Sequence, residues 1–418
     1  MEMKRVVVTG MGAVTPLGNN VPDTWQAMKE GKSGVAPITL FDASLHKTQF
    51  AAEVKNFDFS AVMDRKEARK LDRYAQFAVY SAKEAIEQSR LDMQQEDLER
   101  IGVIWGTGMG GLQSLQDECI DYARGDGTPR FSPFYIPRSI PNMGAAHISL
   151  LYGLKGPNFA VSAACSSSGS AIAAALDTIR TGRADVIISG GSEAVIVPTA
   201  VGGFNAVRAL STRNESPETA SRPYSKSRDG FVMGEGAGCL VLEEYEHAVR
   251  RGATIYAELA GAGINADAYH MTAPEPEGQG AARVMQLALQ DAGLTPADID
   301  YINTHGTSTP LGDVAELTAI QRVWGEDAYR LNISSTKSMT GHLIGGTGAV
   351  EAIASIMAIR DGVVPPTINH EADDEDENID YRLNLTFNKA QHREVRAAIS
   401  NNFGFGGHNA CLVFKKIG

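Results

Sequence analysis

A single cysteine, Cys165, stands in the small-residue run VSAACSSSGS at positions 161–170. The segment that follows, AIAAALDTIR, predicts a buried helix, so Cys165 should lie at the N-terminus of that helix. The partial positive charge at that end of a helix favours a thiolate over a thiol, whose reference pKa is about 8.5. This environment suits a nucleophile. A buried structural cysteine would have similar neighbours, so Cys165 alone does not separate the two interpretations.

Two histidines occupy polar loops that join a predicted strand to a predicted helix. His305 lies in NTHGTST at 303–309, and His342 ends the loop STKSMTGH at 335–342. In α/β proteins, loops at the ends of strands commonly carry the reactive side chains. Each histidine could instead be satisfied locally, and Lys337 in the second loop could be a solvated charge. A cysteine and two histidines at junctions of the same kind nevertheless predict one shared site.

Three glycine-rich segments follow predicted strands and allow other interpretations. Two of them, TGMGAVT at 9–15 and GTGMGG at 106–111, suggest a dinucleotide site. The first lacks the third glycine of the GxGxxG fingerprint, and the second has no acidic residue placed for a ribose, so tight turns explain them better. The third, NFGFGGHN at 402–409, is a packed turn, a mobile lid or an oxyanion loop. His408 in this loop receives no role.

The elements that must position these residues alternate between strand and helix. Short β-branched runs predict strands at 5–9, 101–105, 186–189, 239–242, 299–303 and 397–401, and helical patterns cover 69–88, 171–180, 279–292 and 348–360. This alternation predicts an α/β fold with buried, partly parallel sheets. A small-residue helix, a strand and a glycine turn follow both Cys165 and His342. We interpret this as a duplicated α/β core, with halves at 1–252 and 253–418.

The composition narrows the classes of partner and compartment. A net charge of −12 over 418 residues argues against general nucleic-acid binding. The sequence has no run of 18 apolar residues, so we expect no membrane span. A strand is predicted directly after the N-terminus, which leaves no room for a signal peptide. The four cysteines are far apart, which predicts neither a disulfide framework nor a zinc site. We therefore expect a cytoplasmic protein.

Two charged segments stand out. The acidic stretch DDEDE at 373–377 is predicted to be a solvated loop. The basic turn DRKEARKLDR at 64–73 predicts either a solvated helix face or a docking surface for an acidic partner, since positive potential steers association.

Together these segments resemble the β-ketoacyl-acyl carrier protein synthases of fatty acid synthesis, most closely the elongating type II members. The resemblance runs from 6–18 to 402–414 and includes ALSTRN at 209–214, RPY at 222–224, RDGF at 228–231 and GEGAG at 234–238. It implies the thiolase-like fold, with duplicated α/β halves in five αβαβα layers, and a homodimer. It also implies a decarboxylating Claisen condensation of an acyl thioester with malonyl-acyl carrier protein. The substrates are carried on phosphopantetheine, so no metal or redox cofactor is implied.

The resemblance also assigns roles to individual residues. Cys165 is implied as the acyl-accepting nucleophile, with His305 and His342 as catalytic histidines, Lys337 as a supporting catalytic residue and Glu316 as an acidic residue near them. The remaining roles are phosphopantetheine contacts for Thr307 and Thr309, a gate formed by Phe405 with Phe403 beside it, an acyl-pocket position for Met109, and carrier-protein docking for Lys66, Arg69, Lys70 and Arg208.

Some features depart from the family pattern, and other functions stay open. His408 stands where the family often has threonine, and the acidic segment 371–377 is not a general family feature. A polyketide-type ketosynthase would share the catalytic trio. A thiolase is disfavoured because the last glycine loop carries no second cysteine, and a non-catalytic chain-length subunit because Cys165 is present. A dinucleotide-dependent oxidoreductase rests on the incomplete glycine motifs alone.

Overall fold

Strands and helices alternate along the chain, which a computed structural model describes over residues 3–417. The strands are β1 (Val6–Val14), β2 (Ala36–Pro37), β3 (Phe50–Ala51), β4 (Ile101–Gly106), β5 (Asn158–Val161), β6 (Val186–Glu193), β7 (Gly236–Glu244), β8 (Ala257–Ala266), β9 (Tyr301–Asn303), β10 (Asn332–Ser334), β11 (Val363–Val364), β12 (Gln391–His392), β13 (Ala397–Gly404) and β14 (His408–Lys415). The helices are α1 (Val21–Lys29), α2 (Arg65–Ala68), α3 (Arg73–Ser89), α4 (Leu112–Arg124), α5 (Tyr135–Ser139), α6 (Met143–Tyr152), α7 (Ser167–Arg180), α8 (Pro198–Ala206), α9 (Tyr245–Arg250), α10 (Gln279–Ala292), α11 (Pro310–Trp324), α12 (Lys337–Thr340) and α13 (Thr347–Asp361).

The strand order repeats between the two halves of the chain. Ten strands are linked in the order β10-β9-β13-β14-β8-β1-β7-β6-β4-β5. The first half contributes β1, β4, β5, β6 and β7 to this order, and the second half contributes β8, β9, β10, β13 and β14. When the strands of each half are numbered 1 to 5 along the chain, both halves have the order 3-2-4-5-1 from the outer end to the middle. The first two pairings of each half are parallel and the next two are antiparallel. The halves meet where β1 pairs with β8. The duplicated α/β architecture is therefore confirmed, while the division between residues 252 and 253 stays a prediction.

Helices α7 and α13 form a central layer, because both pack against strands of the first and the second half. Most of their residues are buried, and small side chains allow the close approach of a sheet on either side. Helices α3 and α6 cover the outer face of the first half, and α10, with α11 beside it, covers that of the second. This is the predicted five-layered αβαβα arrangement.

The first glycine motif lies inside a strand rather than in a loop. We predicted a strand ending at residue 9, but β1 continues through Gly10 and Gly12 to Val14. A Cβ atom at Gly10 would lie 2.1 Å from the Ala85 carbonyl oxygen, and one at Gly12 would lie 1.9 Å from that of Ser81. Only glycine therefore lets α3 lie this close to β1. The dinucleotide interpretation of 9–15 is wrong.

Two further predictions need correction. The helix predicted over 69–88 begins only at Arg73, because the Asp72 side chain caps α3 by accepting a hydrogen bond from the Tyr74 N–H, and residues 69–72 form the turn after α2. The acidic segment is not fully solvated. Asp374 and Asp376 are partly buried and form ion pairs with Arg222 and Arg228.

The four cysteines are free thiols. Over residues 3–417, the helices are all too short or too polar to cross a bilayer.

Candidate active site

Cys165 lies at a sharp turn between β5 and α7, as predicted. The residue before it, Ala164, has a φ of +49°, in the left-handed region that is unfavourable for residues with a Cβ. Serine side chains hold this turn. The Ser167 hydroxyl donates to the Ala164 carbonyl at 2.6 Å and accepts from the Ala163 N–H at 2.9 Å. Hydrogen bonding of this kind explains why a run of serines follows the cysteine.

The glycine loop between β13 and β14 approaches this turn closely. A Cβ atom at Gly404 would lie 2.7 Å from the Ala163 carbonyl oxygen, so a larger residue would displace the loop. The backbone N–H groups of Phe405 and of Cys165 itself lie close enough to the Cys165 thiol to lower its pKa. These are the two donors that an oxyanion on an acylated Cys165 would need.

The thiol of Cys165 is buried, and this changes its titration. Burial raises its pKa to about 11, although the two backbone N–H groups and the positive charge of Lys337 act in the opposite direction. The expectation that the helix N-terminus makes Cys165 a thiolate is therefore not met. The sulfur must therefore lose its proton as the acyl group arrives.

The raised pKa predicts how Cys165 reacts with iodoacetamide. Only the thiolate reacts, so the alkylation rate should rise about tenfold per pH unit between about pH 7 and pH 10. The rate is measured by mass spectrometry of the peptide that contains Cys165. A plateau near pH 8 would contradict the burial argument and favour a thiolate stabilised by the helix.

His305 and His342 lie edge to face, with ring centroids 5.4 Å apart and an angle of 89° between the planes. Burial lowers the pKa of both histidines well below 6.5, and the positive charge of Lys337 lowers each further. Both rings are therefore neutral at physiological pH. The His342 Nδ1 atom lies 3.0 Å from the Thr347 hydroxyl, while its buried Nε2 has no hydrogen-bond partner. When the hydroxyl donates to Nδ1, the proton of His342 is on Nε2 and is free for a substrate.

Lys337 carries this positive charge inside the protein. Its ammonium group donates to Glu351 at 2.5 Å, and both side chains are 1% exposed. The Asn402 amide donates to the other Glu351 oxygen at 2.9 Å. Burial raises the pKa of Glu351 to about 7. Sequence reasoning missed Glu351 and Asn402, although a single acid in the apolar run TGAVEAIASIMAI was a usable signal.

Glu316, which the resemblance implied only as an acidic residue near the site, holds the His305 loop. Its carboxylate accepts from the backbone N–H groups of His305 at 2.9 Å and Gly306 at 2.8 Å, and from the Asn401 amide at 3.1 Å. Because two of these bonds are to the backbone of the loop, Glu316 fixes the position from which the His305 side chain extends. Burial raises the pKa of Glu316 to about 7.

Glu193, at the end of β6, is a second acid that sequence reasoning missed, and its side chain contacts the loop at 106–111. Its carboxylate accepts from the backbone N–H groups of Gly108 at 2.7 Å, Met109 at 3.1 Å and Gly345 at 3.0 Å. These amides are the donors that a bound pyrophosphate would need, and an internal carboxylate already uses them. The dinucleotide interpretation of this segment is therefore wrong as well.

A cavity of about 380 Å³ brings most of the predicted residues together. Those on its wall are Cys165, His305, His342, Thr307, Thr309, Glu316, Phe403, Phe405 and Arg208. The Thr307 and Thr309 hydroxyls are 3.1 Å apart on this wall. The Phe403 ring lies 5.6 Å from the His305 ring, and Phe405 lies 6.3 Å from Phe204. Lys337 does not line the cavity and acts from behind the two histidines.

Two groups of predicted residues lie away from this cavity. The side chain of Met109 is 39% exposed and is not on the wall, so its place in an acyl pocket stays a prediction. Lys66, Arg69 and Lys70 belong to α2 and the turn after it, with Lys66 and Arg69 exposed and Lys70 paired to Glu67. Their docking role also stays a prediction.

Known proteins match the whole chain. The beta-ketoacyl synthase N-terminal domain matches residues 3–248, and the beta-ketoacyl synthase C-terminal domain matches residues 256–371. The chain is 49% identical over 417 residues to 3-oxoacyl-[acyl-carrier-protein] synthase 2 of Coxiella burnetii, covering 100% of both chains. It is 47% identical over 418 residues to the Staphylococcus aureus (strain COL) protein of the same name, covering 99% of both.

Solved structures agree with these matches. A beta-ketoacyl synthase from Burkholderia phymatum has a TM-score of 0.91 and 38% identity, with 100% of both chains covered. AntDE:AntF, a type II PKS acyl-carrier protein in complex with its ketosynthase, has a TM-score of 0.90 and 33% identity, again with 100% of both chains covered. From its sequence, its fold and the arrangement of Cys165, His305 and His342, the chain belongs to the β-ketoacyl synthase family.

Proposed function

We propose that the protein condenses an acyl thioester with malonyl-acyl carrier protein, giving β-ketoacyl-acyl carrier protein in fatty acid elongation. The observation that carries this proposal is the sharing of one cavity by Cys165 and two neutral histidines. A nucleophile can hold the acyl chain there, while two uncharged N–H donors stabilise a developing enolate.

The first half-reaction transfers an acyl group from its carrier to Cys165. The sulfur attacks the thioester carbonyl, a new C–S bond forms, and the carrier's thiol leaves with the proton that Cys165 has lost. The N–H groups of Cys165 and Phe405 receive the negative oxygen of the tetrahedral intermediate.

The second half-reaction uses malonyl-acyl carrier protein. The bond to the carboxylate breaks and carbon dioxide leaves, so the electron pair stays on the thioester as an enolate. Nε2–H of His342 and a ring N–H of His305 stabilise the enolate oxygen. The enolate carbon then attacks the acyl-Cys165 carbonyl, the C–S bond breaks, and the Cys165 sulfur is released.

This chemistry needs no metal or redox cofactor, because decarboxylation of the substrate supplies the carbon nucleophile. We propose acyl carrier protein as the partner, with Arg208 at the cavity wall and Lys66, Arg69 and Lys70 meeting its acidic surface. Val207 and Leu311 also line the cavity and are 55% and 67% exposed, which gives the partner apolar contact. The free thiols suit a reducing cytoplasm, which is the location we propose.

The decisive experiment supplies the protein with an acyl-carrier protein and malonyl-carrier protein and searches for a β-ketoacyl product longer by two carbons. No product under conditions where an established synthase works would refute the proposal. A polyketide-type ketosynthase remains the second candidate because the AntDE:AntF ketosynthase shares the fold at 33% identity. The higher identity of 47–49% to proteins named 3-oxoacyl-[acyl-carrier-protein] synthase 2 favours fatty acid elongation. The product distinguishes the two candidates: a fatty acid elongation enzyme releases its product after a single two-carbon extension, whereas a polyketide-type ketosynthase extends the chain repeatedly.

We further propose that the protein is a homodimer. Among residues 3–417, nineteen large apolar side chains are exposed, and ten of them fall between residues 109 and 159. Strand β5 lies in this region at one end of the sheet, with its Asn158 and Phe159 side chains exposed. An apolar face beside an open strand edge fits a second copy of the same face, because a twofold axis makes such an edge self-complementary.

The dimer makes a testable prediction. A double variant, Ile136→Asp with Leu150→Asp, should be monomeric in size-exclusion chromatography with light scattering, because two charges would be buried at the interface. Leu45→Asp is the control, since Leu45 is 97% exposed outside this region. A double variant that stays dimeric would show that the dimer uses another surface.

A further inference from the structure

Arg228 is buried beside the loop that carries Thr307 and Thr309. It is 4% exposed and does not line the cavity. Its Nε donates to the Thr309 carbonyl at 3.1 Å, and its Nη2 donates to the Pro310 carbonyl at 2.7 Å. The guanidinium therefore holds the backbone at the point where this loop enters α11.

The loop needs such support because its middle residue has an unfavourable conformation. Ser308 has a φ of +67°, in the left-handed region. Its N–H donates to Asp313 at 3.1 Å, its hydroxyl accepts from the Arg222 N–H at 3.0 Å, and its carbonyl accepts from the Gly230 N–H at 3.1 Å. With Ser308 turned in this way, the hydroxyls of the two flanking threonines lie together on the cavity wall.

Two carboxylates balance the buried charge of Arg228. Asp313 lies 3.4 Å from Nε, but it also accepts hydrogen bonds from the backbone of Tyr224 and Ser308. Asp376, from the acidic segment, accepts from Arg228 Nη1 at 2.7 Å. A buried guanidinium without enough negative charge around it moves toward water. Asp376 thus keeps Arg228 in place against the Thr309 and Pro310 carbonyls.

The acidic segment is arranged for this contact. Alternate acids, Asp374 and Asp376, are partly buried, whereas the intervening Glu375 and the next residue, Glu377, are exposed. Asp374 fastens the segment by accepting from the Ser227 N–H at 2.8 Å and the Ser227 hydroxyl at 2.6 Å. Burial therefore alternates from one residue to the next, because successive side chains point to opposite sides of the segment, as in a strand.

We propose that Asp376 is a positioning residue for the phosphopantetheine arm, acting through Arg228 on the Thr307–Thr309 loop. The inference rests on the proposed function, because it requires that a carrier-bound thioester enters past Thr307 and Thr309. Asp376 itself does not line the cavity that holds Cys165.

The test is Asp376→Asn, with Glu377→Gln as a matched control one residue away. The KM for malonyl-acyl carrier protein should rise about tenfold in Asp376→Asn with kcat within about twofold of wild type, because binding of the arm is weakened and the histidines are untouched. Glu377→Gln should match wild type. Alkylation of Cys165 by iodoacetamide, which needs no phosphopantetheine, should keep its rate in both variants.

A double-mutant cycle separates positioning from general loosening of the structure. Thr309→Val removes one hydroxyl from the cavity wall, so Asp376→Asn should have little further effect on KM in that background. Additive effects would overturn the proposal, as would an unchanged KM in Asp376→Asn or slower alkylation of Cys165. If Asp376→Asn does not fold, Asp376→Glu replaces it, since its longer side chain displaces the guanidinium while keeping the charge. A raised KM then supports the proposal and an unchanged KM refutes it.

The two proposals fail in different ways. A wild-type protein that forms no β-ketoacyl product refutes the proposed function and the positioning role together. An active wild type whose Asp376→Asn variant keeps its KM refutes the positioning role alone.

Discussion

Replacing Cys165 with alanine is expected to lower the rate of β-ketoacyl product formation at least about 10³-fold, because the acyl chain then has no atom to which it can be attached. Among residues 3–417, Cys165 is the one thiol on the cavity wall. The primary measurement is protein-bound label after incubation with radiolabelled acyl-carrier protein and removal of the carrier. Wild type should retain about one acyl group per chain, and the variant should retain none.

Cys119→Ala is the matched control for this experiment. Cys119 is exposed on α4, so its loss tests whether an accessible thiol takes up label without participating in turnover. It should retain wild-type labelling and rate. Normal acylation of the Cys165→Ala variant would show that the acyl chain is held elsewhere, and the assignment of the nucleophile would be wrong.

The Cys165→Ala variant also separates the two half-reactions. His305, His342 and the Lys337–Glu351 pair keep their positions in it, because they are held by contacts that do not involve the sulfur. Decarboxylation of malonyl-acyl carrier protein should therefore continue while condensation stops. The released carbon dioxide would then be accompanied by acetyl-carrier protein rather than by a longer product.

The catalytic residues could be predicted because each is set by local sequence. Cys165 is followed at once by the helix that positions it, His305 stands in a polar loop between β9 and α11, and His342 lies between the short helix α12 and α13. The resemblance to the family then joined these local signals into one site. The duplicated fold was visible for the same reason, since it depends on a repeated order of short elements rather than on distant contacts.

The buried acid Glu193 could not be predicted because its partners are distant in sequence. Glu193 binds backbone N–H groups about 85 residues before it and about 150 residues after it. The sequence of β6, which ends at Glu193, gives no sign of these contacts. The pKa of Cys165 was misjudged for a related reason: the helix N-terminus is visible in the sequence, whereas the burial that raises the pKa to about 11 depends on the folded glycine loop.

These buried groups determine the charge of the site. Burial raises the pKa of Glu316 and of Glu351 to about 7. Burial also lowers the pKa of both histidines, and the nearby charge of Lys337 lowers it further. A positive charge that is held behind the rings disfavours a second one on them, as expected for like charges in a low dielectric. The site therefore keeps its histidines neutral without placing an acid against their ring nitrogens.

Replacing His342 with alanine is expected to lower the condensation rate about 10²–10³-fold, the usual effect of losing one donor to a developing oxyanion. Acyl transfer to Cys165 should stay within about threefold, because it uses the backbone N–H groups of Cys165 and Phe405. Single-turnover assays that follow labelled acyl-enzyme and β-ketoacyl product separately measure the two steps. His305→Ala should behave in the same way, and His392→Ala, on exposed β12, should match wild type.

Because the two rings are neutral, the prediction also covers how the condensation rate depends on pH. Because the pKa of each histidine lies well below 6.5, the condensation step in wild type should not lose its donors to a change of charge as the pH falls from about 8 to about 6. His342→Asn keeps one N–H donor that does not titrate, so it should retain more condensation than His342→Ala with the same pH profile. A His342→Ala variant that slows acyl transfer as much as condensation would contradict the division of labour, since the thioester and the enolate would then share one set of donors.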